Sequence, residues 1–210
     1  VLFGGFLATA NADDTLPEKT FDGLERVSNT RFAAVYAEPG IDLKRYRRVN
    51  LDDTYVAFKK SWLDNQDNAE DTSIDADDMD RIKVELMLMF REVFTKTLEN
   101  GGYALTTDLG ADVLQIKPAI INLELVLPDD QAGKDKITYT ESAGAMSLYL
   151  ELYDSLSGDI IARAIDHKKD RQTGYFLWEN QLNNRAAAQR ILQVWANTLK
   201  LGLDEAMGAN

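Results

Sequence analysis

Cysteine is absent from this chain of 210 residues, and His167 is the only histidine. The absence of cysteine excludes disulfides, thiolate nucleophiles and cysteine zinc sites. A zinc site or a Ser-His-Asp triad needs an imidazole held beside other ligands or a nucleophile. Asp166 precedes His167, but neighbouring strand residues point to opposite faces, so Asp166 is badly placed to orient the ring. We therefore predict an exposed strand residue at His167, and no catalytic residue or metal site is identified.

Two further absences restrict the function. The sequence has neither a P-loop nor a G-x-G-x-x-G motif, and Gly101-Gly102 is better explained as a helix stop, so no cofactor is predicted. Basic residues are also scarce, with 23 Lys and Arg against 35 Asp and Glu and a net charge of −12. Binding to a phosphate backbone needs a basic surface that releases counterions. Nucleic acid is therefore excluded as a partner.

The acidic excess is concentrated between residues 61 and 80, a stretch without lysine or arginine. Its eight acids are Asp64, Asp67, Glu70, Asp71, Asp75, Asp77, Asp78 and Asp80. The alternation that starts at Asp64 is similar to the early ligands of a calcium loop, but Ala69 replaces the required glycine and Asp75 replaces the usual glutamate. We predict a solvated acidic loop over 63–73, and weak calcium binding within 64–80 stays an open alternative.

Long hydrophobic runs are missing, since the apolar run at residues 1–8 is far shorter than the ~20 residues that a membrane span needs. The run is followed by Ala10-Asn11-Ala12, a small-x-small pattern typical of a cleavage site. We interpret residues 1–12 as the remnant of a secretory signal peptide, with a hydrophobic strand as the alternative. Residues 13–31 are polar and aperiodic and are expected to form a flexible tether. The predicted location is periplasmic or secreted.

Two segments have helical periodicity. The first covers residues 75–100 and ends at Gly101-Gly102; the second covers 184–206. Within the first, residues 86–90 are apolar without interruption, which indicates either deep burial or a second face that meets a partner.

Strand patterns fill most of the remaining sequence, over 32–36, 46–58, 103–107, 113–127, 146–153 and 160–167. In 113–127 the inward phase changes near Pro118, and we place a bulge or bend there because proline cannot donate a ladder hydrogen bond. Successive strands separated by single helices predict an α+β fold, with a mostly antiparallel sheet and two main helices packed on one face. A single domain is expected over 32–206.

Several short strings, in this order and spacing, resemble a known bacterial family. They are Gly102-Tyr103, Val113 to Ile120, Glu141 to Gly144, Leu150 to Gly158, Ala162 to Asp166, and Trp195-Ala196 with Leu199. Together they resemble domain of unknown function 3313, a family of exported, often lipoprotein-like envelope proteins. The resemblance implies an envelope location and supplies no catalytic or binding residues. Where many relatives have a lipobox cysteine, this sequence has Ala12-Asp13, so the resemblance does not extend to direct lipid anchoring.

Three aromatic residues lie close together between the last strand and the last helix. Tyr175, Phe176 and Trp178 follow a basic stretch, and tyrosine and tryptophan are frequent binding hot spots. These residues are candidates for partner binding, with packing beneath the sheet edge as the alternative.

The function predicted from the sequence is that of a non-catalytic envelope interaction or binding module. Its partner would be an envelope protein or a cell-wall component. The alternatives are a carboxylate-dependent hydrolase acting on envelope polymers, since two distant acids can converge in space, and a structural homo-oligomer.

Overall fold

The structure is a computed structural model that describes residues 16–67, 75–125, 145–169 and 181–208. Eight strands and three α-helices lie in these ranges. The strands are β1 Glu25–Arg26, β2 Ala34–Ala37, β3 Arg48–Leu51, β4 Tyr55–Phe58, β5 Ala104–Leu105, β6 Val113–Glu124, β7 Ala145–Asp154 and β8 Ile160–Lys169. The helices are α1 Lys60–Asp67, α2 Ala76–Asn100 and α3 Gln181–Met207, and a 3₁₀ turn covers Leu43–Arg45.

All eight strands form one sheet. Its order is β1-β2-β8-β7-β6-β3-β5, and β4 also pairs with β6, beyond the end of β3. The pairings among β1, β2, β8, β7 and β6 are antiparallel, and those of β3 with β5 and of β6 with β3 and β4 are parallel. The predicted α+β class with a mostly antiparallel sheet and two main helices is confirmed.

The core lies between the helices and one face of the sheet. Leu148, Leu150 and Leu152 alternate along β7 and are buried in one cluster with Phe90 of α2 and Trp195 of α3. Apolar residues that repeat every two positions on the strands thus pack against apolar residues that repeat every 3.6 positions on the helices. Both sequence patterns require this arrangement.

The ends of α2 follow the predicted chemistry. The Asp75 side chain accepts a hydrogen bond from the Asp78 amide, and Asp77 and Asp78 lie in the first turn, where the helix dipole favours negative charge. At the other end Gly102 has φ +87°, a left-handed conformation that glycine adopts without a steric cost.

The bulge in β6 is not where the sequence analysis placed it. Burial continues on even positions through Pro118 to Ile120, and Leu123 is the first buried odd position after them. The register shift falls between Ile121 and Glu124, where Asn122 has φ +53°. The prediction at Pro118 was wrong because the proline lies where β6 changes partner from β3 to β4, so its missing N–H interrupts no regular ladder.

The predicted acidic loop over 63–73 was wrong in its first part, because residues 63–67 belong to α1. Trp62 fixes this helix: its ring stacks on Phe58 at 5.1 Å, and its Nε1 donates to the Leu125 carbonyl at 2.9 Å. Tertiary packing therefore outweighs the loop-forming composition. Residues 68–74 lie outside the described ranges.

The first described residues also contact the sheet. Residues 16–31 fall within the segment expected to be a tether, and they include β1 and the buried Leu24. A short hydrophobic anchor in a polar, aperiodic segment produces little periodicity, and the sequence analysis did not detect it.

Trp195 provides a test of how α3 is held on the sheet. Its fully buried indole donates to Asp166 Oδ2 at 2.8 Å, and Lys168 Nζ lies 3.0 Å from the same oxygen. Trp195→Phe leaves the buried carboxylate without one donor, so we expect the free energy of unfolding to fall by about 2 kcal/mol. Urea denaturation followed by circular dichroism measures this change. Trp62→Phe, whose indole is only half-buried, is the control and should cost less, whereas an unchanged midpoint for Trp195→Phe would contradict the assignment.

Candidate binding surface

The sheet has an outer face that points away from α2 and α3. Lys117 on β6, Glu151 on β7 and Arg163 on β8 alternate with core residues and project to this face. The strand registers pair Lys117 with Glu151 and Glu151 with Arg163. Cross-strand neighbours are close enough for their side chains to interact, so three charges of alternating sign form a row across the central strands.

Arg163 lies at one end of this row and contacts two carboxylates. Its Nε donates to Glu151 Oε1 at 2.9 Å and its Nη2 donates to Asp22 Oδ2 at 2.6 Å. Only 12% of the Arg163 side chain is exposed. Removing one partner from a buried ion pair leaves an uncompensated charge and is strongly destabilising. The two carboxylates and the guanidinium therefore depend on one another.

A hairpin over residues 18–26 delivers Asp22 to Arg163. The Thr20 amide donates to the Leu24 carbonyl and the Arg26 amide to the Glu18 carbonyl, both at 2.9 Å. Gly23 closes the turn with φ +89° and donates to the Thr20 carbonyl at 3.0 Å. Leu24, only 2% exposed, packs on the outer side of β2 and β8. The hairpin is thus held by the pairing of β1 with β2, by the apolar side chain of Leu24 and by the ion pair of Asp22 with Arg163.

Phe21 stands at the tip of this hairpin. Its side chain is 94% exposed, the most exposed large hydrophobic residue in the described ranges. The Arg163 Cζ atom lies 5.9 Å from the ring centroid, within the range of a cation–π contact. Because Asp22 and Leu24 are both held against the sheet, the backbone on the C-terminal side of Phe21 is fixed. The aromatic ring is presented to solvent from a rigid support.

Tyr153 extends the surface towards β6. Its hydroxyl donates to Glu151 Oε2 at 2.7 Å, and Lys117 Nζ lies 4.3 Å from the centroid of its ring. Burial raises the pKa of the Tyr153 hydroxyl, and the hydrogen bond to Glu151 raises it further. The hydroxyl therefore stays protonated and keeps donating to Glu151 at neutral pH. We call Phe21, Asp22, Lys117, Glu151, Tyr153 and Arg163 the Arg163 cluster.

The charge state of Asp22 determines the pH range in which its ion pair with Arg163 holds the hairpin against the sheet. Burial raises the pKa of this carboxyl, but hydrogen bonds from Arg163 and Thr20 outweigh burial and keep the pKa below its usual range. Such a group stabilises the folded state above its unfolded value of about 3.9, and this stabilisation is lost as the pH falls through the folded pKa. The ion pair is therefore fully formed at neutral pH.

His167 lies exposed on β8, as the strand pattern predicts. Its Nδ1 is 3.0 Å from the Oγ of Ser147, its cross-strand partner. Ser147 itself is buried, and Asp166 faces the core, where Trp195 and Lys168 occupy its carboxylate. The carboxylate of Asp166 therefore does not contact the imidazole of His167. The contact between His167 and Ser147 is one between cross-strand neighbours.

The carboxyl groups of the described residues that have shifted pKa values do not match the raised-pKa acid that a glycosidase pair uses. Those in the described ranges with a clear pKa shift are all shifted downwards: Asp22, Glu92, Asp112, Asp154 and Asp204. A general acid of a carboxylate pair needs the opposite shift. None of these five residues fits that role.

Two of the sequence predictions fall on other parts of the chain. Tyr175, Phe176 and Trp178 lie outside the described residues. The calcium alternative lies partly outside them, although Asp64 belongs to α1 and Asp75 caps α2. Within the described ranges no group of three or more histidine, cysteine, aspartate or glutamate residues could hold a metal ion. Also within these ranges, no helix combines the length and the apolar character that crossing a bilayer requires.

The model of one family, described as "Protein of unknown function (DUF3313)", matches residues 13–199. The chain belongs to this family. The matched range of this DUF3313 member includes the hairpin over residues 18–26 as well as all eight strands. No curated protein matches the sequence.

Solved structures are similar to this DUF3313 chain at low sequence identity. A PelC dodecamer from Paraburkholderia phytofirmans is 11% identical, with 78% of this chain and 96% of that chain covered and a TM-score of 0.38. A DUF4136 family protein from Bacteroides thetaiotaomicron is 12% identical, with 80% and 95% covered and a TM-score of 0.39. A minor lipoprotein from Acinetobacter baumannii is 11% identical, with 75% and 94% covered and a TM-score of 0.35.

Phe21 was not predicted as a binding residue from the sequence. The residue lies in the segment expected to be a tether, although Thr20-Phe21-Asp22-Gly23 is a turn sequence flanked by residues of opposite charge, Lys19 and Glu25. Asp-Gly between two short extended stretches is typical of a hairpin. The turn could have been found from the sequence, whereas the pairing of Asp22 with Arg163, 141 residues away, could not.

Asp22→Ala should release the hairpin. With the carboxylate removed, we expect the amides of Leu24, Arg26 and Val27 to exchange hydrogen at least about tenfold faster, which corresponds to a loss of about 1.4 kcal/mol or more. Hydrogen exchange read by mass spectrometry or NMR measures the rates. Asp53→Ala removes an exposed ion pair with Arg91 on α2 and is the control; equal rates in both variants would show that Asp22 does not hold the hairpin.

Proposed function

We propose that this DUF3313 protein is an exported bacterial envelope protein, periplasmic or secreted, that acts as a non-catalytic binding module. Residues 1–12 are the remnant of its signal peptide in this proposal, and the mature chain carries one α+β domain. The family resemblance and the small-x-small pattern before Asp13 support the location. The partner is an envelope protein, and the surface that meets it contains the Arg163 cluster.

The observation that carries the proposal is the exposure of Phe21 at the tip of a hairpin anchored to the sheet by Leu24 and Asp22. An aromatic ring that is 94% exposed leaves a large apolar area in water, which is unfavourable by about 25 cal/mol per Å². Aromatic residues and arginine are enriched at the centres of protein interfaces. Here the ring stands on a hairpin that Asp22 and Leu24 hold in place, so binding orders little that is not already ordered.

The neighbouring groups fit the same role. Lys117 is exposed, and Glu151 and Tyr153 are half-buried, which matches the polar surroundings of an aromatic anchor at an interface. The hydrogen bond from Tyr153 to Glu151 and the contact of Lys117 with the Tyr153 ring orient these side chains before a partner arrives. The Arg163 cluster thus combines one exposed aromatic side chain with polar side chains that surround it.

Tyr175, Phe176 and Trp178 remain a second proposed anchor, supported by their composition alone. Self-association into a homo-oligomer is compatible with either anchor. No described residue favours the alternative of a carboxylate-dependent hydrolase.

Site-specific photo-crosslinking in cells tests the binding function. A photoreactive amino acid in place of Phe21 should give one discrete adduct with an envelope protein, identified by mass spectrometry, because the tip of the hairpin lies in the interface. The same probe in place of Leu201, which is 43% exposed on α3 in the opposite layer, is the matched control. A Tyr175→Ala, Trp178→Ala variant carrying the probe at position 21 shows whether the second anchor contributes.

Affinity then decides whether the adduct reflects function. With the purified partner, Phe21→Ala should raise Kd about 30-fold, since a hot-spot residue contributes about 2 kcal/mol or more. Leu201→Ala should leave Kd unchanged. Equal adducts at positions 21 and 201, or an unchanged Kd for Phe21→Ala, would overturn the proposed surface, and an adduct with peptidoglycan would replace the protein partner by a cell-wall component.

A further inference from the structure

Two large hydrophobic residues project into solvent from the middle of α2. Val84 is 51% and Leu88 is 64% exposed, although the opposite side of the same helix carries eight buried residues. The two lie four positions apart, so they are neighbours on one face of the helix. Single exposed leucines are ordinary, but an adjacent pair in mid-helix is an apolar spot that water covers unfavourably.

Charges of opposite sign border this spot. Arg81 lies one turn before Val84 and Glu92 lies one turn after Leu88, on the same face of the helix. Arg81 pairs with Asp78 at 2.5 Å, and Glu92 pairs with Lys96 at 2.7 Å and is also attracted by Arg185 of α3. Exposed pairs of this kind contribute about 0.3–0.5 kcal/mol, so they exchange partners readily.

The sequence of charged and apolar residues on this face is complementary to the same face of a second copy that runs in the opposite direction. If two α2 helices pack antiparallel about a two-fold axis midway between Val84 and Leu88, each Val84 meets the Leu88 of the second copy. Arg81 then meets Glu92 of the second copy, and Asp77 lies near Lys96 of the second copy. A parallel arrangement would instead place Arg81 against Arg81, which costs energy.

We propose that two copies of this protein associate through α2, packed antiparallel about a two-fold axis between Val84 and Leu88. The interface is isologous, because the same residues contribute from both copies. One helical face buries less than the roughly 1,200–2,000 Å² of a stable complex, so the dimer is weak and depends on concentration. Glu85 and Arg91 also lie near this spot, and Arg91 is held by Asp53 at 2.6 Å.

The dimer does not depend on the proposed function. α2 and the Arg163 cluster lie on opposite sides of the sheet, so association through α2 leaves both copies of Phe21 accessible. A dimer would present two such anchors at once and increase avidity for a clustered partner.

Sedimentation equilibrium of the mature chain over a range of concentrations tests the association. We expect a monomer–dimer equilibrium in which Leu88→Asp raises the dimer Kd at least tenfold. Leu201→Asp introduces the same charge at an exposed leucine of α3 and should leave Kd unchanged. A chain that is monomeric at every concentration, or equal effects of the two variants, would overturn the proposal.

Charge exchange tests the antiparallel geometry. Arg81→Glu and Glu92→Arg should each weaken the dimer, because each places like charges opposite one another. The double variant Arg81→Glu, Glu92→Arg should restore the parent Kd, and circular dichroism verifies that all variants are folded. If the double variant is as weak as the single ones, Arg81 does not face Glu92 of a second copy and the proposed axis is wrong.

Discussion

The guanidinium of Arg163 lies between two carboxylates that come from different parts of the chain, and the outer face of the sheet is organised around it. Glu151 is its cross-strand neighbour, so that contact follows from the register of β7 and β8. Asp22 comes from a hairpin that has no other ion pair to the sheet among the described residues. Desolvating three charged groups is costly unless each stays paired. This dependence explains why the hairpin adopts one position and why Phe21, beside Asp22, has a fixed support.

The two sides of the sheet have different roles. On the inner side, burial of apolar area against α2 and α3 stabilises the domain, and the buried carboxylate of Asp166 is satisfied by Trp195 and Lys168. On the outer side, the described residues form a small apolar cluster around Leu24, and polar contacts join β6, β7, β8 and the hairpin. An interaction surface is expected on the outer side, because side chains there are not buried in the core and can contact a partner.

Periodicity predicted α2, α3 and the hairpin of β7 and β8, because each buries one face and therefore repeats every 3.6 or two residues. It also predicted a change of phase in β6, but not its position: Asn122 carries the bulge, while Pro118 falls at the change of partner from β3 to β4. The helix at 60–67 depends on the hydrogen bond from Trp62 to the Leu125 carbonyl, 63 residues away, and the site depends on the contact of Asp22 with Arg163, 141 residues away. Such long-range contacts leave no local pattern. A single sequence therefore predicts the layers of this protein better than the surface it presents.

The central claim is that Arg163 immobilises Phe21, and fluorine NMR measures this directly. A fluorinated phenylalanine introduced only at position 21 should give a broad resonance in the parent protein, since the ring turns with the domain. In the Arg163→Met variant, which keeps a long side chain but loses the charge, the resonance should narrow as the hairpin moves independently. Near-UV circular dichroism verifies that the variant retains its core. Equal linewidths in the two folded proteins would contradict the account, because the support of Phe21 would then not depend on Arg163.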